Sequence, residues 1–71
     1  MKKKLLIEGM SCAHCVKHVE DALLELDGVK SAKAELEGNF AVVELSEEVN
    51  DEAFKKAIDE AGYELVGIQE A

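Results

Sequence analysis

At 71 residues the chain has room for one domain, and a domain of that size has a narrow stability margin. Its 8 basic and 16 acidic residues leave a formal net charge of −8, which disfavours phosphate backbones and anionic lipid surfaces. Three aromatics (Phe40, Phe54, Tyr63) are too few for base stacking, and no stretch approaches the ~20 apolar residues of a membrane span, so neither nucleic acid nor direct membrane insertion is expected.

Hydrophobic residues make up 48%, enough for a core. Lys2, Lys3 and Lys4 precede the apolar Leu5, Leu6 and Ile7, but that run stops at Glu8, short of the ~7–15 residues of a signal-peptide core. A cytoplasmic location is therefore expected, and Met1 opens what reads as a complete polypeptide.

Residues 3–8 read as a short strand with Leu5 and Ile7 on one face. Residues 9–15 read as a loop leading into a helix, in which Val16, Val19, Leu23 and Leu26 recur at helical spacing. Asp27-Gly28 ends that helix, and Gly28 suits the left-handed position beyond a C-terminus. Val29 to Leu36 then alternates, with Ala32, Ala34 and Leu36 on one face. Glu37-Gly38-Asn39 supplies turn chemistry, and Phe40 to Leu45 returns with Ala41, Val43 and Leu45 facing the core. Asn50 is a good N-cap for a second helix, with Asp51 and Glu52 in its first turn and a buried stripe of Phe54, Ala57, Ile58 and Ala61. Gly62 ends it, and Tyr63 to Ile68 makes a last strand. The order βαββαβ predicts an α+β, ferredoxin-like domain with a four-stranded antiparallel sheet and two helices on one face. The other face is expected to carry Leu6, Val42, Val66 and Phe40.

Both cysteines fall in one Cys-x-x-Cys, Cys12 and Cys15, where strand hands over to helix. Three chemistries compete for such a pair. A structural disulfide would close a very small loop and remove little entropy from the unfolded chain, and a cytoplasmic thiol pair tends to stay reduced. A thioredoxin-like redox pair is weakened by the short chain and by the absence of tryptophan. A metal site is favoured. Two thiolates cannot complete the four-ligand shell of structural zinc, but they suit a soft monovalent ion, and Cu(I) is the biological one. Cys15 lies near a helix N-terminus, where the dipole favours thiolate, so it should be the more acidic of the two.

The run Gly9-Met10-Ser11-Cys12-Ala13-His14-Cys15 resembles the Gly-Met-x-Cys-x-x-Cys signature of heavy-metal-associated domains. That family includes bacterial copper chaperones and the amino-terminal domains of copper-transporting P-type ATPases. Leu26-Asp27-Gly28-Val29 and Ala61-Gly62-Tyr63 extend the resemblance over nearly the whole chain. It implies Cys12 and Cys15 as Cu(I) ligands, Met10 as a buried prop under the loop, and Tyr63 close to the site. Relatives that handle zinc or cadmium often carry an acid before the first cysteine, where this chain has Ser11. Lys17, one turn on, is placed to offset the charge of a bis-thiolate centre. His14 and His18 have a spacing that can hold a divalent ion, but His14 is assigned to the loop, where helical spacing need not hold. An effect of His14 on thiol reactivity is expected before ligation.

No Ser-His-Asp set, phosphate loop or converging carboxylate pair is visible, so the chain is not expected to be an enzyme. The expected function is a cytosolic copper chaperone that delivers Cu(I) by thiolate exchange to the cytosolic metal-binding domain of a copper-transporting P-type ATPase. The resemblance also allows a copper-bridged homodimer. The alternatives are a metal-binding domain excised from a larger copper ATPase or mercuric reductase, and a thiol oxidoreductase. Docking is expected around His14, Lys17, His18, Gly62 and Tyr63, with Asp21 and Glu60 meeting basic residues on the partner.

Overall fold

The computed structural model describes residues 1–70. Six elements follow in the order β1 (Lys2–Glu8), α1 (Ala13–Leu24), β2 (Val29–Glu35), β3 (Phe40–Leu45), α2 (Asp51–Glu60) and β4 (Glu64–Glu70). The strands form one antiparallel sheet in the order β2-β3-β1-β4, so β1 is central and its C-terminal end leads directly to the cysteine loop. This is the ferredoxin-like fold.

The core lies between the sheet and the helices. Leu5 and Ile7 of β1, Ala41, Val43 and Leu45 of β3, Val19 and Leu23 of α1, and Phe54 and Ile58 of α2 are all buried. Alternation along the strands and 3–4-residue spacing along the helices produce this packing. Among the described residues no polar or charged side chain is buried, so this core is closed by apolar contact alone. On the outer face Leu6 and Val42 are half-buried, and the Lys4 ammonium lies 4.3 Å from the centre of the Phe40 ring.

Helix α1 differs from its expected limits. It begins at Ala13, because extended Cys12 (φ −158°, ψ 171°) serves as N-cap and its carbonyl accepts from the Cys15 and Val16 N–H groups at 3.0 and 3.3 Å. It stops at Leu24, and Leu26 packs on the core from the following turn. Gly28 has φ +96°, and a Cβ there would lie 2.9 Å from both Glu47 Cγ and Val49 Cγ2. The turn therefore needs glycine for its backbone and for its space.

Strand β4 starts after Tyr63 and holds an irregularity that the alternation does not foretell. Leu6 pairs with Gly67 while Ile7 pairs with Leu65, which leaves Val66 as an extra residue in a β-bulge. The extra residue lets both Leu65 and Ile68 pack on the core, and Val66 is 51% exposed.

Helix α2 is capped as its sequence implies: the Asn50 side chain accepts from the Glu52 N–H at 2.9 Å, and Asp51 and Glu52 face the helix dipole. Asn50→Ala is expected to cost about 1 kcal/mol of stability. Urea denaturation checks this, and an unchanged midpoint would show that the cap contributes nothing.

Candidate metal centre

The site is assembled where β1 ends. Gly9, at φ +103°, turns the chain beneath Tyr63, and a Cβ at Gly9 would meet Tyr63 Cδ1 at 3.4 Å. Met10 follows with its side chain buried in the core, which leaves Ser11 and Cys12 exposed above it. Anchoring by Met10 fixes the height of the loop over the sheet, as an unbranched thioether filling an irregular gap can do. Cys15 is the third residue of α1 and half-buried, so one sulfur sits against the core and the other stands in solvent.

The two sulfurs are 3.4 Å apart, well beyond the about 2.0 Å of a disulfide, and both thiols are free. Ser11 Oγ lies 3.9 Å from Cys15 Sγ. Helix α1 has no acidic residue in its first turn, so no carboxylate competes for the positive end of the helix.

These surroundings make Cys15 acidic. Its pKa is lowered from 9.0 to about 6, first by the Ser11 backbone N–H, then by the Tyr63 hydroxyl and the Cys12 thiol, against a smaller opposing effect of desolvation. The Tyr63 hydroxyl is pushed up from 10.0 to about 12, chiefly because it hydrogen-bonds Cys15, with burial and the negative sulfurs adding to the effect. The two shifts are reciprocal: the nearby Tyr63 hydroxyl favours the Cys15 thiolate, and that negative sulfur in turn disfavours loss of the Tyr63 proton. For Cys15 the folded pKa is depressed. Its contribution to stability is complete above pH 9, and it is lost as pH falls through about 6. For Tyr63 the sense is reversed: its contribution is complete below pH 10 and lost as pH rises through about 12.

In consequence Cys15 is expected to react with iodoacetamide as a thiolate with a midpoint near pH 6. Tyr63→Phe, which removes a donor, should move that midpoint upward. Peptide mass spectrometry across a pH series reads both, and a Cys15 midpoint near 9 in the folded protein would remove this account.

The structure thus brings together Cys12, Cys15, Ser11 and Tyr63, with Met10 beneath them. Lys17 and His14 lie instead along the exposed face of α1, where Lys17 Nζ is 3.9 Å from Asp21 Oδ1. Among the described residues no cluster of three or more His, Cys, Asp or Glu side chains is placed to hold a metal ion. His14 belongs to the first turn of α1, which corrects its assignment to the loop. Ser11 was visible in sequence only as a missing acid; its backbone N–H carries no residue-type signal, and loop conformation alone aims it at Cys15.

The family model described as "Heavy-metal-associated domain" matches residues 4–64. The chain belongs to the heavy-metal-associated domain family. The copper chaperone CopZ of Staphylococcus epidermidis is 45% identical over 65 residues, covering 90% of this chain and 96% of that protein. A mercuric reductase of Lysinibacillus sphaericus is 42% identical across 97% of this chain, which spans only 12% of the reductase. Among solved structures, a CopZ metallochaperone superposes with a TM-score of 0.86 at 40% identity, covering 93% of this chain and 100% of that one. A copper-binding domain from HMA7, a P-type ATPase, gives 0.82 at 34% identity, with 100% and 95% covered. Among the described residues no helix of the domain is long and apolar enough to cross a membrane.

Proposed function

We propose that this heavy-metal-associated domain is a cytosolic copper chaperone. It holds one Cu(I) between Cys12 and Cys15 and passes it to the cytosolic metal-binding domain of a copper-transporting P-type ATPase. The observation that carries the reading is the unequal sulfur pair: two reduced thiols 3.4 Å apart, one exposed and one half-buried. Two soft donors suit a soft ion that accepts few ligands. Cys15 is held as a thiolate by Ser11 and Tyr63, so it grips the ion, while exposed Cys12 is free to let go. An incoming thiolate then binds the ion as Cys12 leaves, and Cys15 departs last, so the ion is never free in solution. Similarity over almost the full length of a CopZ supports a copper-carrying role, and the likeness to an ATPase copper-binding domain supports a partner built on the same fold.

The partner is expected to approach over Cys12, the start of α1 and the turn at Gly62 and Tyr63, with basic groups meeting Asp21 and Glu60. Such contacts weaken as salt screens them. Amide chemical-shift mapping of the chain against the metal-binding domain of its cognate copper ATPase, with and without Cu(I), tests this at two salt concentrations. Shifts confined to the outer sheet face around Val42 and Val66, with residues 11–18 silent, would overturn the handover model.

A further inference from the structure

The start of α1 at Ala13 has a second consequence. His14 and His18 are both helical, four residues apart, so their side chains rise from one face of the same helix. Both are exposed, and with Ala13, Lys17 and Asp21 they line one shallow surface hollow. Among the described residues neither imidazole hydrogen-bonds to the protein or pairs with a carboxylate.

We propose that His14 and His18 form a second metal site, separate from the thiolate pair, for one borderline divalent cation of the Zn(II), Ni(II) or Cu(II) class. Two imidazoles at positions i and i+4 of a helix are the helical chelate used by zinc sites, and neutral imidazole suits ions of this class. The site takes two ligands from the protein and leaves the remaining positions to water, so the ion stays exchangeable. Asp21 is the carboxylate that lines the hollow, one turn beyond His18, and the ammonium of Lys17 sits beside it at 3.9 Å. That ammonium and the positive end of α1 both oppose a dication, so binding should be modest. The two sites differ in donor softness: sulfur selects Cu(I), and nitrogen selects the divalent ion.

The test uses the full-length chain carrying Cys12→Ser and Cys15→Ser, so that no thiolate takes the probe, and titrates it with Zn(II). Imidazole ring-proton resonances of His14 and His18 are expected to move together and saturate at one equivalent of Zn(II). His14→Asn or His18→Asn, placed singly in that background, should weaken binding at least about tenfold, as the loss of a ligand must cost no less than loss of a supporting contact. Both histidines are exposed, so an unchanged amide spectrum is expected to accompany each variant. Response of only one ring, or single variants that bind as tightly as their parent, would overturn the site. Neither result bears on Cu(I) binding, because the thiols are absent throughout.

Discussion

Replacing either Cys12 or Cys15 by serine is expected to weaken Cu(I) binding by more than about a hundredfold, the upper range for losing even a supporting contact around a metal. A serine hydroxyl is a hard donor that stays protonated at neutral pH, so the substitution removes both softness and charge. One sulfur then remains, and a single thiolate competes poorly with any chelating competitor in solution. The variants should also differ in kind. Cys12→Ser keeps the thiolate supported by the Ser11 N–H and Tyr63, whereas Cys15→Ser leaves those donors facing a neutral hydroxyl. Residual affinity is accordingly expected to be greater in Cys12→Ser. The measurement is a Cu(I) titration of the reduced proteins against a calibrated competitor. If both single variants held copper as tightly as the parent, the sulfur pair would not be the site.

Most of the fold was legible because it depends on periodicity. Leu5 and Ile7, Ala41 and Val43, and Phe54 and Ile58 announce their faces by spacing, and all are buried. Asn50 likewise carries its cap in its residue type. What escaped depends on backbone geometry that several sequences could adopt. The bulge at Val66 changes the alternation in mid-strand, so a strict two-residue period cannot place Leu65 and Ile68 together. The first turn of α1 was hidden because Cys12 caps through its backbone carbonyl and its side chain makes no cap bond. A cysteine is not among the usual N-cap residues. That shift of a few residues turns His14 from a loop residue into the helical neighbour of His18. At the site, the sulfur pair and Tyr63 were nameable from sequence, while the part played by the Ser11 N–H exists only once the loop is folded over Met10.

Phe54→Ala is expected to have the largest effect on stability, about 3–5 kcal/mol, since it removes a fully buried ring from the centre of α2. At the usual about 0.05–0.15 kcal/mol per residue, a chain of this length has roughly 4–11 kcal/mol in all, so the variant is brought close to its folding threshold. The damage reaches the metal centre through the backbone. Tyr63 N–H donates to the Ile58 carbonyl and Gly62 N–H to that of Asp59, each at 3.0 Å, so the end of α2 holds the turn that aims Tyr63 at Cys15. Loosening α2 should therefore raise the Cys15 alkylation midpoint as well as lower the melting temperature. Cu(I) should rescue the variant only in part. The reduced apo protein already has a complete apolar core, unlike a domain that folds around its metal. Moreover, Cys12 and Cys15 are three residues apart in the chain, so the unfolded state keeps both sulfurs within reach of one ion. A ligand that binds both states stabilises the fold only by the ratio of its affinities. Here that ratio comes from the Ser11 and Tyr63 donors, not from the sulfurs themselves. Thermal melts of wild type and Phe54→Ala, each with and without one equivalent of Cu(I), decide the matter. Full restoration of the wild-type midpoint by Cu(I), or a random-coil spectrum for reduced apo wild type, would show instead that the metal organises the fold.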